Sequence, residues 1–106
     1  EQPIKFTVVQ KIPEFPGGWS AFMQWLTKNL KYPESARKNK IQGTVVVSFI
    51  VNKDGSIAST KVSTSADPVL DAEALRVMKM MPKWKPGMDR NKVCRTMIAV
   101  PVVFKL

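Results

Sequence analysis

Histidine is absent from this chain, cysteine occurs once, and acidic residues number 8 against 17 basic ones. Without histidine the commonest general base and metal ligand is missing. No cluster of Cys, Asp and Glu at metal-ligand spacing and no glycine-rich phosphate loop makes up for it. The sequence therefore offers no catalytic residues, no metal ligands and no cofactor site, and an enzyme is not expected. Asp71 and Glu73 sit close together at the start of a predicted helix, where capping and the helix dipole account for them. The single thiol, Cys94, cannot form an internal disulfide. It falls on the apolar parity of the last strand and has no base to activate it, which predicts a free, buried, structural cysteine. No apolar run is long enough to span a membrane, nothing is repetitive, and neither a starting Met nor a signal peptide is present. Glu1 is accordingly expected to begin a soluble domain excised from a parent that carried such a segment.

The shortage of acid leaves a net charge of +9, which favours polyanions, anionic membrane surfaces or acidic peptides as neighbours. At 106 residues and 44% apolar content the chain is read as one globular domain spanning 1–106.

The most informative stretch is the last one, KVCRTMIAVPVVFKL, read as one long strand over residues 92–106. Thr96, Ile98, Val100, Val102, Phe104 and Leu106 share one parity and are nearly all apolar, against a mixed opposite parity. That alternation marks a strand with one face on a core. Pro101 then places it, because a residue with no N–H belongs at a sheet edge or a bulge. Such an edge is either an ordinary one kept quiet by solvent and Pro101, or a docking edge for an extended peptide.

The rest of the chain supplies the scaffold. Residues 4–9 alternate as a short strand, and KIPEFPGG follows as a turn of fixed geometry. Trp19, Phe22, Met23, Leu26 and Leu30 then recur at helical spacing, with Trp25 widening the apolar face toward the core. Tyr32 is pushed to an extended conformation by Pro33, which suits the first turn of a short helix with Ala36 and Ile41 inward. TVVVSFIVN, the turn ending in Gly55, and SIASTKVST form a hairpin. Its first strand is apolar on both parities and reads as central; Ile57 and Val62 differ in parity, which predicts a bulge. Asp67 caps a helix with Pro68 at its first position and Leu70, Ala74, Val77, Met78 and Met81 inward. Pro82 ends it, and MDRN leads into the last strand.

In this order and spacing, Tyr32, Pro33, Ala36, Gly43, Asp54, Gly55, Leu70, Asp71, Glu73, Ala74, Trp84, Pro86 and the closing Pro101, Val102, Val103, Phe104 resemble the TonB C-terminal domain over about residues 29–106. Residues 12–28, with Phe15, Pro16, Gly17 and Gly18, resemble an extension found in one branch of that family. The resemblance implies an α+β fold: a three-stranded antiparallel sheet of a hairpin plus the C-terminal edge strand, helices packed on one face, and an extra short N-terminal strand. Residues 1–28 would form the extension and 29–106 the core.

It also implies a function. A TonB is anchored in the inner membrane, spans the periplasm and works with inner-membrane proton-channel partners through its N-terminal part. Its C-terminal domain grips the TonB box of outer-membrane transporters, which adds as a strand, and passes on energy from the proton gradient. Carried onto this chain, the partner-binding residues are Lys31, Tyr32, Pro33, Arg95, Thr96, Met97, Ile98, Ala99, Val100 and Val102, with pairing expected to be strongest over 95–100. One branch of the family has Gln-Pro-Gln where this chain has Asn29, Leu30 and Lys31, so glutamine contacts there do not carry over. The strand at 4–9 could itself cover the edge. Two alternatives remain: the same domain on a membrane sensor or peptidase homologue, and a basic nucleic-acid module using Trp19, Trp25 and Trp84 for stacking. Against the second, the cations are spread along the chain and the tryptophans fall at core-like helix positions or a turn, so no nucleic-acid partner is expected.

Overall fold

The alternation in the last strand reappears as alternation of burial. The computed structural model describes residues 3–5 and 11–106. In chain order the elements are β1 (Ile4–Lys5), α1 (Gly18–Asn29), α2 (Glu34–Lys38), β2 (Gly43–Val51), β3 (Ile57–Thr64), α3 (Pro68–Met78), β4 (Gly87–Asp89), β5 (Lys92–Cys94) and β6 (Thr96–Phe104). Along β6 the side chains of Thr96, Ile98, Val100, Val102 and Phe104 are buried and those between them exposed.

The main sheet has the order β1-β6-β2-β3, antiparallel throughout except for the β1–β6 pair. This is the expected α+β fold: a hairpin and the C-terminal strand in a three-stranded antiparallel sheet, with a short N-terminal strand added. β2 is central, as its apolar content on both parities requires, and is buried without interruption from Val47 to its end. The parity conflict between Ile57 and Val62 is resolved by extra residues on β3. Its register against β2 shifts twice, and Ser59 takes a left-handed φ of 53° within the second shift.

One core joins sheet and helices on the same side. Phe22 and Leu26 of α1, Leu70, Ala74, Val77 and Met78 of α3, and the inward residues of β2 and β6 form a single cluster. Asp67 caps α3 by accepting from the Val69 N–H at 2.9 Å, with Pro68 in the first turn. The helix stops at Met78, and Met81 reaches the core from beyond its end. Trp84 anchors the extension to the sheet. It is 5% exposed, and its ring lies 5.3 to 5.8 Å from those of Phe49, Phe22 and Phe15. This cluster sets the stacking expectation aside for Trp84, whose ring is enclosed.

Several expectations are corrected. Residues 92–106 are not one strand. Arg90 and Asn91 both have positive φ, 52° and 62°, and make a two-residue turn between β4 and β5. The chain leaves that small hairpin at Arg95 and joins the main sheet at Thr96. Cys94 is free, as expected, but only half-buried, on β5, with Sγ 3.6 Å from Thr96 Oγ1. Leu106 lies past the end of β6 and is exposed. On α1, Trp19 and Met23 are 60% and 43% exposed despite belonging to the apolar stripe. Of the strand expected at 4–9, residues 4 and 5 pair with β6, and residues 6–9 lie outside the described residues.

Gly55 carries two constraints at once. Its φ is 86°, and a Cβ there would stand 2.1 Å from the Trp84 carbonyl oxygen, while the Trp84 N–H donates to the Gly55 carbonyl at 2.9 Å. Gly55→Ala should therefore lower stability by about 2–3 kcal/mol, seen as a lower midpoint in urea; an unchanged midpoint would mean that the turn and Trp84 are not coupled. Phe22→Ala should cost about 3–5 kcal/mol by the same measurement, and a negligible loss would separate the extension from the core.

Candidate peptide-docking edge

β6 has one committed edge and one that is, among the described residues, largely unpaired. Every residue of β2 faces a partner in β6, from Gly43 opposite Phe104 to Val51 opposite Thr96, with no shift of register. Pro101 lies opposite Val46 in that ladder. A residue with no N–H fits an unbroken antiparallel ladder only in a pair whose polar groups face away from each other. Polar groups of alternate residues point to the same edge, so Met97, Ala99 and Val103 turn theirs outward with Pro101. β1 lies along this outer edge only at Thr96 and Met97, in parallel register with Ile4 and Lys5. Among the described residues nothing pairs with the outer edge from Ile98 onward. What it presents there are the N–H and C=O of Ala99 and Val103 and the C=O of Pro101.

The expected site residues divide accordingly. Ile98, Ala99, Val100 and Val102 lie on the open stretch of β6. Thr96 and Met97 lie where β1 is paired, and the Thr96 side chain is fully buried. Arg95 lies between strands, its Nε donating to Asn52 Oδ1 at 3.1 Å in the turn after β2. Lys31, Tyr32 and Pro33 are at the opposite end of β6. The Tyr32 ring stands edge-on to Phe104 at 5.7 Å, and its hydroxyl donates to the Ile41 carbonyl. The outer edge thus runs from β1 at one end to Tyr32 at the other.

Around this edge the extension builds a wall. Residues 11–14 run antiparallel to residues 85–88, with the backbone groups of Lys11 and Met88, and of Glu14 and Lys85, exchanging hydrogen bonds of 2.7 to 3.0 Å. Gly87 lets the layers meet: a Cβ there would fall 2.4 Å from Thr96 Oγ1 and 3.1 Å from Pro13 Cδ. A cavity of about 310 Å³ opens between this wall, Trp19, Trp84 and β6 at Ile98, Ala99 and Val100. Another, about 280 Å³, is lined by Thr27, Leu30, Tyr32, Val103, Phe104 and Lys105.

Sequence reasoning missed the clamp that holds the Tyr32 end. Glu73 Oε2 accepts from the Lys31 N–H at 2.7 Å, and the Arg76 guanidinium grips both carboxylate oxygens at 2.7 and 2.8 Å. Arg76 also donates to the Asn29 carbonyl at 3.2 Å. Neither carboxylate caps α3, which Asp67 does: Asp71 instead holds the preceding loop, accepting from Ser65 and from the Ala66 N–H at 3.1 Å. The available signal was the spacing of Glu73 and Arg76, three apart on one helix face.

Residues 28–106 match the family model for the Gram-negative bacterial TonB protein C-terminal domain. The chain belongs to the TonB C-terminal domain family. Two solution structures of the Helicobacter pylori TonB C-terminal domain share its fold. One has a TM-score of 0.61 at 24% identity, covering 79% of this chain and 76% of that one. The other, a shorter fragment, has a TM-score of 0.59 at 25% identity, covering 81% and 90%. No curated protein sequence matches the chain significantly. The TonB C-terminal family is periplasmic and non-enzymatic, a class of protein-interaction domain, and membership implies interaction with outer-membrane transporters. Among the described residues no helix is long and apolar enough to cross a membrane.

Glu73 supplies a pH test. Burial opposes its ionisation, but the hydrogen bonds from Arg76 and Lys31 and the Arg76 charge outweigh this and hold the carboxyl below its ordinary value of 4.5. A depressed carboxyl stabilises the fold fully above the unfolded value and loses that contribution as pH falls through the folded value. Glu73→Gln should cost about 2 kcal/mol at pH 7, with the gap to the parent closing as pH drops below 4.5; a gap independent of pH would rule out the charge as its source.

Proposed function

We propose that this domain takes up an extended segment of an outer-membrane transporter, the TonB box, as an added strand on the outer edge of β6. The parent, anchored in the inner membrane and coupled there to proton-channel partners, draws on the proton gradient through that grip. The observation that carries the reading is the open edge at 99–103, unpaired among the described residues and oriented outward by Pro101. Pairing centres on Ala99 and Val103, further along β6 than an equal use of 95–100 would give, because β1 lies along Thr96 and Met97. Tyr32 and Pro33, with Lys31 held by Glu73, flank the far end of the docked segment.

The chemistry suits a grip that releases. Backbone hydrogen bonds contribute about 1 kcal/mol net each, and the few outward groups here, with some apolar contact, leave affinity in the micromolar range after the cost of association. Affinity of this origin falls only mildly with salt, whereas a nucleic-acid module of net +9 would lose it steeply.

A pair of proline substitutions tests the edge. Ala99→Pro removes one outward N–H and leaves the β2 ladder intact, so the domain should fold and bind a TonB-box peptide at least about tenfold more weakly. Val100→Pro removes an inward N–H and should destabilise the fold by about 3 kcal/mol. Calorimetric titration together with thermal melts separates the two. Parental affinity in a folded Ala99→Pro domain would place the docking site elsewhere.

A further inference from the structure

The face of the sheet turned away from the helices carries a small polar depression. Residues paired across an antiparallel ladder share a face. Ala99, Ser48 and Lys61, opposite one another on β6, β2 and β3, therefore form one row across the outside of the sheet. The next row is Met97, Ile50 and Ala58, while Phe49 and Ile98 between them point into the core. Here β3 carries its second bulge, with Ser59 and Thr60 standing where β2 has only Phe49. Ser59 holds the left-handed φ of 53°, which a residue with a Cβ adopts at a cost. A cavity of about 170 Å³ opens at this point, lined by Ser48, Phe49, Ile50, Ser59, Lys61 and Met97. The Ser48 hydroxyl oxygen is buried in a residue only 6% exposed, and it has no hydrogen-bond partner. Among the described residues no hydrogen bond or ion pair engages the Ser59 hydroxyl or the Lys61 ammonium either, and no carboxylate lines the cavity.

A buried hydroxyl without a partner, a strained serine and an uncompensated ammonium meet in one small space. None of the three helps a sheet to fold, and departures of this kind gather at ligand sites. We propose that the cavity binds a single carboxylate on a short apolar stem. Lys61 supplies one positive charge, and the hydroxyls of Ser48 and Ser59 donate to the carboxylate oxygens. Ile50 and Met97 form the wall against the stem. Met97, unbranched and 36% exposed, is the side chain that turns aside to uncover Ser48. A cavity of about 150 Å³ holds a benzene molecule, so about 170 Å³ sets the size near that of a four-carbon acid. Phosphate suits the cavity less, because its second charge would meet apolar wall and no second cation. The carboxylate arrives either on a free acid or at the C-terminus of a chain. The site lies on the outer face of the sheet and not on its edge, so it stands independently of the strand-addition reading.

The test is a titration of the whole isotope-labelled chain, followed through its backbone amide signals at constant pH and ionic strength. The probes are sodium butyrate, the uncharged butyramide, inorganic phosphate and acetyl-glycyl-alanine with a free carboxyl end. Butyrate should move the Ser48, Ser59, Lys61 and Met97 signals to saturation in the millimolar range. Butyramide should bind at least about tenfold more weakly. Ser48→Ala should weaken butyrate at least about fivefold. It should also leave the melting temperature of the free chain unchanged or higher, because it removes a buried hydroxyl with no partner. Should Ser48→Ala fail to fold, Ser59→Gly removes the other hydroxyl and relieves the left-handed backbone. Lys61→Met keeps the stem and should abolish the preference for butyrate over butyramide. Tighter binding of the dipeptide than of butyrate assigns the carboxylate to a chain end, and the reverse order to a free acid. Shifts that do not saturate, equal binding of butyrate and butyramide, or parental affinity in both serine variants would overturn the proposal. Tighter binding of phosphate than of butyrate would overturn it too.

Discussion

An unbroken antiparallel ladder between β2 and β6 is the constraint from which the remaining structure follows. It fixes which parity of β6 faces the helices, and hence where α1 and α3 bury their apolar sides. It also decides which edge of β6 is committed. A register slip of one residue would turn Pro101 inward, where it could offer no bond to β2, and would expose the whole apolar parity. The proline therefore both orients the open edge and excludes the nearest competing register.

The second organising feature is the aromatic cluster about Trp84. It sits where the turn at Gly55, the central strand at Phe49 and the extension at Phe15 and Phe22 converge. Through these contacts residues preceding the family-matched region take part in the same core. They also place Trp19 and residues 12–15 against the open edge. The extension thus belongs to the core on one side and lines the cavity beside the outer edge of β6 on the other.

The fold was legible where a single residue broke a simple pattern. Pro101 located the edge, Ile57 and Val62 announced the bulge, and Asp67 with Pro68 marked the start of α3. Opaque features were those for which local sequence carries no unique sign. The turn at Arg90 and Asn91 uses positive φ at two residues that are not glycine, so the break before Thr96 stayed hidden inside an apparently continuous strand. Periodicity located the apolar stripe of α1 but could not show that Trp19 and Met23 stay exposed while Phe22 and Leu26 are buried. Glu73 satisfied a helix-dipole pattern, and its bond to the Lys31 backbone depends on a contact 42 residues away. The orientation of the outer edge was thus readable from strand chemistry, while the walls around it came from packing.

The two sides of β6 differ in how they would carry a load. A segment lying along the outer edge and pulled lengthwise strains its bonds to β6 in shear, and the same force passes across the strand into β2. The inner ladder is paired along the full nine residues of β6. A row formed on the outer edge would be shorter, would lack a donor at Pro101 and would begin beyond β1. Under rising tension such an outer row would part first. For a segment held there, the missing hydrogen of one proline would work as a mechanical fuse: overload would end in release and not in the unravelling of the domain.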